Sequence, residues 1–205
     1  MNVLSLCNGS QSRFEGNTPK QLALINGEPL LVRTARMVRE RGFEMHVFTH
    51  NKLIEEVCAE HRMDFVHLVP TDKLVETVIK TRPFWEERVV FLLGDVYFTD
   101  AALNTIFNDS SDIKFFGTHY ELFALVFAPT MYDFVYKNSV DANINTRGKM
   151  WHLFRGSMNV PPEEHLINKF SKHKMYHRIN DVSCDIDTVK EYEKLLENTK
   201  KEESG

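Results

Sequence analysis

Apolar residues in this chain follow two rhythms that alternate along its length. Asn2–Cys7 is a compact apolar run of strand length, and Phe43–Thr49 places Phe43, Met45, Val47 and Thr49 at every second position, the period of a strand. Asp64–Val69 predicts a third strand. Between these runs the spacing turns helical. Pro29 suits a first helical position, Leu31, Ala35 and Val38 mark one face, and Gly42 ends that helix. Asn51 caps a second helix through Ile54, Val57 and Cys58, and Thr71–Arg82 predicts a third that uses Leu74, Val78 and Ile79. Then comes Arg88-Val-Val-Phe-Leu-Leu-Gly-Asp95, whose unbroken apolar run suits a central parallel strand buried on both faces.

The second half continues the alternation less regularly. Thr99 begins a helix with Ala102, Leu103 and Ile106 apolar, and Ile113–Gly117 and Leu122–Phe127 read as strands. Pro129 opens a short helix through Phe134 and Val135. Residues 138–160 have no clear period, so Arg147-Gly-Lys149 and Trp151–Gly156 read as a functional loop or a small appended element. Pro161-Pro162 starts a helix through Leu166, Ile167 and Phe170, and Lys174–Ile179 predicts a strand. Thr188 and Glu191 have capping-box spacing for a last helix through Tyr192, Leu195 and Leu196. This β-then-α order argues for a three-layer α/β fold of right-handed crossovers. In such sheets ligands bind beyond the carboxyl ends of the strands, which puts the loop of residues 8–14 and Asp95 on one edge.

Composition narrows the classes. At 205 residues the chain fits one domain, taken as residues 1–199 with 200–205 as a charged tail. Its formal net charge of −4 and lack of a basic tract argue against nucleic acid as a partner. Cys7, Cys58 and Cys184 are odd in number and widely spaced, which points to a reducing compartment rather than a disulfide framework. No apolar run approaches the ~18 residues of a membrane span, and the first residues lack a signal-peptide pattern. The expectation is a cytoplasmic domain with no membrane partner; a homo-oligomer stays open.

Candidate chemistry sits at three places. After the first strand, Asn8-Gly-Ser-Gln-Ser-Arg13 is a polar loop with a basic residue at its end, and Lys20 follows Pro19. Backbone N–H groups in such a loop hold phosphate oxygens, aided by a guanidinium or an ammonium. The loop is neither a Walker loop nor a dinucleotide fingerprint. Asp95 ends the most hydrophobic strand, where an unpaired carboxylate would be costly; exposure at the sheet edge, a neutralising cation or a helix-capping role would each relieve it. Asp185 and Asp187, spaced i, i+2, share one side of an extended segment, which suits one hard cation, while Asp187 or Thr188 could also cap the last helix. Three carboxylates from distant segments suit Mg²⁺. His173 and His177 have i, i+4 spacing but lie in a loop-to-strand segment, against zinc. Arg147, Lys149 and Arg155 read equally as a solvated face or as receivers of an acceptor phosphate.

Assembled, these residues resemble the nucleotidyltransferase family, which includes sugar-1-phosphate and phosphocholine nucleotidyltransferases, methylerythritol-phosphate cytidylyltransferase and the molybdenum-cofactor guanylyl- and cytidylyltransferases. The resemblance rests on Leu6-Cys-Asn-Gly-Ser-Gln-Ser-Arg13, Pro19-Lys-Gln-Leu22, Gly27-Glu-Pro-Leu30, Gly94-Asp95 and Asp185-Ile-Asp-Thr188, in the family's order across nearly the whole chain. It implies a Rossmann-like mixed, mostly parallel sheet of the nucleotide-diphospho-sugar transferase type. It also implies a nucleoside triphosphate held by Leu6, Cys7, Asn8, Gly9, Ser10, Gln11, Ser12 and Gly94, with Mg²⁺ on Asp95 and Asp185 or Asp187. Arg13 would neutralise the β- and γ-phosphates and Lys20 the α-phosphate, while a small phosphorylated metabolite attacks and pyrophosphate leaves. Gln11 replaces a frequent glycine and Asn8 a small residue. The alternatives are an A-type glycosyltransferase, whose Asp-x-Asp motif Asp185-Ile-Asp187 mimics late in the chain, and a non-catalytic nucleotide-binding relative.

Overall fold

A computed structural model describes residues 1–9, 18–118, 121–160 and 173–203 of the chain. Its centre is a seven-stranded sheet. In chain order the strands are β1 (Asn2–Leu6), β2 (Leu24–Ile25), β3 (Glu28–Pro29), β4 (Met45–Thr49), β5 (Phe65–His67), β6 (Val89–Leu93), β7 (Val96–Tyr97), β8 (Ile113–Gly117), β9 (Leu122–Phe127), β10 (Tyr176–Arg178) and β11 (Cys184–Asp185). The main sheet has the order β10-β8-β9-β6-β1-β4-β5. β1 lies at its heart, parallel to β4 on one side and to β6 on the other, with Val3 opposite Met45 and Val90. β9 runs antiparallel to both β6 and β8. Two short antiparallel pairs, β2–β3 and β7–β11, stand apart from the main sheet.

The helices are α1 (Leu30–Glu40), α2 (Lys52–Glu60), α3 (Leu74–Lys80), α4 (Asp100–Phe107), α5 (Tyr132–Asn145), α6 (Met150–Ser157) and α7 (Val189–Glu203). Because strand side chains alternate between faces, β1 sends Val3 into one core and Leu4 and Leu6 into the other. The first core joins Val3, Val47, Val90 and Leu92 to Leu31, Val38, Ile54, Leu103 and Ile106 of α1, α2 and α4. The second joins Leu4, Phe48, Phe91 and Phe127 to Val75, Val78, Val135, Leu153 and Phe154 of α3, α5 and α6. That is the three-layer arrangement the alternation predicts. Each such side chain removed from water stabilises the fold by roughly 1.5–3 kcal/mol before entropy is set against it.

Several sequence readings shift. α1 begins at Leu30, and Pro29 closes β3 instead of opening the helix. Asn26 and Gly27, with φ of 50° and 84°, form a tight hairpin turn between β2 and β3, an Asn-Gly signal the helical reading passed over. The predicted helix over Thr71–Arg82 shortens to Leu74–Lys80, with a 3₁₀ turn at Arg82–Phe84. Residues 138–160, expected to be irregular, are mostly helical, covered by the end of α5 and by α6. α5 hid its period because it buries only Val135, Ser139 and Ala142. The backbone of α7 continues to Glu203, beyond the start of the expected tail at Lys200. The predicted helix after Pro161-Pro162 lies outside the described residues. Among the described residues no helix is long and apolar enough to cross a membrane.

Candidate active site

The carboxyl ends of the parallel strands open one edge of the sheet, and the register of β1 with its neighbours decides what meets there. β1 ends at Leu6, level with Leu93 of β6 and Phe48 of β4. Leu6, Cys7 and Asn8 are buried, and their backbone groups are committed. Gly94 N–H donates to the Leu6 carbonyl, Cys7 N–H to the Phe48 carbonyl, and the Thr71 hydroxyl to the Asn8 carbonyl. Burial pushes the Cys7 thiol far above its ordinary pKa, so it is an inert core group. Gly9 is exposed at the mouth of the loop. Ser10, Gln11, Ser12 and Arg13 lie outside the described residues.

Gly94 works by closeness. A Cβ added there would stand 2.1 Å from Cys7 Sγ and 3.3 Å from Ser5 Oγ, so only glycine lets the end of β6 lie against β1. The chain then continues through Asp95 into β7, and β7 pairs antiparallel with β11, Asp185 opposite Val96 and Cys184 opposite Tyr97. Ile186 N–H donates to the Asp95 carbonyl at 3.0 Å. This small ladder carries Asp185 and Asp187 to Asp95 across some ninety residues of sequence. Ile186 is fully buried beside Ile25, Leu30, Tyr97 and Leu195, which anchors the ladder under α7. At the start of α7, Glu191 Oε2 accepts from the N–H groups of Asp187 and Thr188, while Thr188 Oγ1 accepts from Glu191 N–H. The predicted capping box is therefore present, and it holds the backbone of Asp187.

Carboxylate oxygens of Asp95, Asp185 and Asp187 lie within 4.8 Å of one another. Lys20, on a 3₁₀ turn Lys20–Leu22, reaches into them: its Nζ is 2.5 Å from Asp95 Oδ2, 2.5 Å from Asp187 Oδ1 and 4.0 Å from Asp185 Oδ1. The Lys20 side chain is 12% exposed and that of Asp185 is 19% exposed, so water screens these charges poorly. Burial by itself would lower the Lys20 pKa, but Asp95, Asp185 and Asp187 together outweigh it and raise it, which keeps the ammonium charged. Burial is also the largest cause at Asp185, where the neighbouring charge of Asp95 adds to it; the carboxyl is pushed up to about 8 despite Lys20. Asp185 Oδ1 is buried with no hydrogen-bond partner among the described residues. A buried, unsatisfied carboxylate oxygen facing two other carboxylates fits the donor set of a hard divalent cation.

One neighbour, Glu121, escaped the sequence. Glu121 immediately precedes β9, and only the antiparallel direction of that strand brings it to this edge. Burial first, then the charges of Glu191, Asp187 and Asp95, raise its pKa. On the other side of β1, Asn8 donates through Nδ2 to the Val69 carbonyl at 3.2 Å and to Thr71 Oγ1 at 2.9 Å. A carbonyl can only accept, so Oδ1 faces His50 Nδ1 at 2.6 Å, and that nitrogen carries the hydrogen. Asn8, read as a loop departure, is thus a buried strut tying β1 to the ends of β4 and β5.

The three basic residues of the irregular stretch share one neighbourhood. Arg147 and Lys149 are exposed before α6, and Arg155 is buried within it. Burial first, then Arg155, Lys149 and Arg147, lower the pKa of His152. Val75 N–H donates to the Gly148 carbonyl, which ties this loop to the start of α3, near the Val69–Thr71 segment that Asn8 binds. Arg147 and Lys149, on either side of Gly148, therefore lie beside the start of α3.

No family model matches the chain. Solved structures do. The Rv0371c protein of Mycobacterium tuberculosis superposes with a TM-score of 0.68 at 18% identity, covering 96% of this chain and 98% of that one. CTP:phosphocholine cytidylyltransferase of Streptococcus pneumoniae superposes with a TM-score of 0.64 at 13% identity, covering 97% and 98%. The chain has the nucleotidyltransferase fold. The mixed, mostly parallel sheet expected from the sequence is found, and the resemblance holds at the level of the fold. A stretch of 81 residues is also 38% identical to the 3-deoxy-manno-octulosonate cytidylyltransferase of Dichelobacter nodosus. That match spans 37% of this chain and only about a third of the relative's length, 33%. The Rv0371c protein is also known as a complex with manganese, which superposes with a TM-score of 0.57.

Proposed function

We propose that the chain is a nucleotidyltransferase that moves a nucleoside monophosphate from a nucleoside triphosphate to a small phosphorylated acceptor, a sugar phosphate or an alcohol phosphate. The observation that carries this reading is the meeting of Lys20 with Asp95, Asp185 and Asp187 at the sheet edge, around a buried unsatisfied oxygen. Support comes from the fold shared with a cytidylyltransferase and from the partial sequence match to another.

In this reading Asp95, Asp185 and Asp187 hold Mg²⁺ or a similar ion, which supplies Lewis-acid stabilisation of charge on the triphosphate. An oxygen of the acceptor phosphate attacks the α-phosphorus in line, the bond to the bridging α–β oxygen breaks, and pyrophosphate leaves. Lys20 stabilises the charge that develops on the α-phosphate, Arg13 neutralises the departing β- and γ-phosphates, and the loop of residues 9–12 offers backbone N–H groups. Arg147, Lys149 and Arg155 receive the acceptor phosphate. The chemistry asks for positioning and charge stabilisation, and no nucleophilic side chain is needed.

The test is pyrophosphate release over the four common triphosphates with Mg²⁺ and a panel of phosphorylated acceptors. Base-dependent release that disappears in Asp95→Ala supports the reading. Lys20→Ala should lower turnover by more than ~10-fold, as loss of one preorganised charge donor does. Transfer from a ready-made sugar nucleotide without pyrophosphate would make the chain a glycosyltransferase, and tight triphosphate binding without turnover would make it a binding protein.

A further inference from the structure

Lys20 stands where its proposed partner would have to go. Its Nζ lies 2.5 Å from Asp95 Oδ2 and 2.5 Å from Asp187 Oδ1. An octahedral divalent ion sits about 2.0–2.1 Å from its oxygens, so an ion bridging those two atoms would occupy nearly the point the ammonium fills. Two positive charges do not share such a wedge in a poorly screened site. We infer that the Lys20 ammonium and a divalent cation compete for the acidic triad, so that a triphosphate that draws Lys20 away opens the carboxylates to metal. The inference rests on the proposed nucleotidyl-transfer site and adds to it a linkage between nucleotide and metal.

The local structure permits the exchange. Pro19 precedes Lys20, and Gln21 and Leu22 are buried, so the backbone of the 3₁₀ turn is pinned. The four-carbon stem of Lys20 is the movable part, and its ammonium is a compact charge that re-aims by side-chain rotation. An α-phosphate is the one other group in the proposed reaction that attracts it strongly. Lys20 thus has two competing sets of acceptors, carboxylate and phosphate. By linkage, nucleotide binding at one set raises metal affinity at the other, and the reverse holds equally. Without nucleotide, the triad is neutralised from within and has little need of a free ion.

The experiment uses Mn²⁺ alone as the probe, with its binding to the whole chain followed by electron paramagnetic resonance and no turnover required. Lys20→Met should bind Mn²⁺ about ten-fold or more tighter than the unaltered chain when no nucleotide is present, because a charge-assisted contact no longer competes. Lys194→Met is the control for charge removal alone: Lys194 lines the same cavity as Asp185, and this change should leave Mn²⁺ affinity nearly unaltered. In the unaltered chain, saturating Mn²⁺ should expose the Lys20 amine to acylation by a water-soluble active ester, read by mass spectrometry. That second measurement holds even if Lys20→Met folds poorly. Equal Mn²⁺ binding with and without Lys20, or Lys20 acylation indifferent to Mn²⁺, would overturn the competition and leave nucleotidyl transfer standing. Failure of every form to bind Mn²⁺, with or without triphosphate, would overturn the metal triad and the competition together.

Discussion

Asp185 is pushed one way by burial and the charge of Asp95 and the other way by Lys20. It is held between the charges of Asp95 and Asp187 on one side and Lys20 on the other, and its carboxyl is pushed up to about 8. An unfolded aspartate releases its proton near ~3.9. Between those values the folded chain keeps a proton that the unfolded chain has lost, so this group's contribution to stability is complete below about pH 4 and lost as pH rises through about 8. We expect the thermal midpoint of the chelator-treated protein to fall between pH 5 and 8.5 and Asp185→Asn to flatten that fall. Mn²⁺ should restore more stability at the upper end, where the carboxylate it binds is already charged. A slope unchanged in Asp185→Asn would assign the pH dependence elsewhere. The same residue marks how far sequence reading reached: Asp185 and Asp187 are recognisable as a pair by spacing, but the burial that leaves Oδ1 without a partner has no signal in the sequence.

At the scale of elements, the β7–β11 ladder matters more to the site than any strand of the main sheet. It is two residues long on each side and has little hydrogen bonding of its own to hold it. Its stability comes from Ile186, buried between the two aspartates against Ile25, Leu30, Tyr97 and Leu195, and from Tyr192, whose hydroxyl donates to the Leu24 carbonyl at 2.7 Å. Ile186→Ala should cost roughly 2–5 kcal/mol in urea unfolding and should weaken Mn²⁺ binding as well. Phe154→Ala, on the face of α6 that packs into the second core, should cost roughly 3–5 kcal/mol yet leave Mn²⁺ affinity nearly unchanged. Equal loss of metal affinity in both would mean that global stability, and not the ladder, orders the carboxylates. Neither two-residue strand was legible, because a pairing so short has no period; each borrows its geometry from a tertiary neighbour.

At the scale of the molecule, the site is an edge effect. β1, β4, β5 and β6 end together because they are parallel, and β9 delivers Glu121 to the same edge because it is not. Binding at that edge engages β1, β6 and the β7–β11 ladder, so it should stabilise the whole fold. With triphosphate or Mn²⁺ alone at about 100 times its dissociation constant, unfolding should become harder by about 2.7 kcal/mol. For a chain of this size that raises the midpoint by roughly 5–10 °C. Asp95→Asn should abolish most of the shift produced by Mn²⁺ while keeping part of that produced by triphosphate. A full shift in that variant would place the metal elsewhere.

Amino-acid order alone determined the alternation of strand and helix, the burial of Val89, Val90, Phe91 and Leu92, the capping box at Thr188 and Glu191, and the short list of candidate charged residues. Those are local properties, written in periods of two and of 3.6 and in the chemistry of single turns. Tertiary structure decided which charges meet. The antiparallel turn of β9, the close approach that Gly94 allows and the anchoring of Ile186 set Lys20, Asp95, Asp185, Asp187 and Glu121 in one place. Contacts between residues far apart in sequence depend on how whole elements pack, and no window along the chain contains both partners.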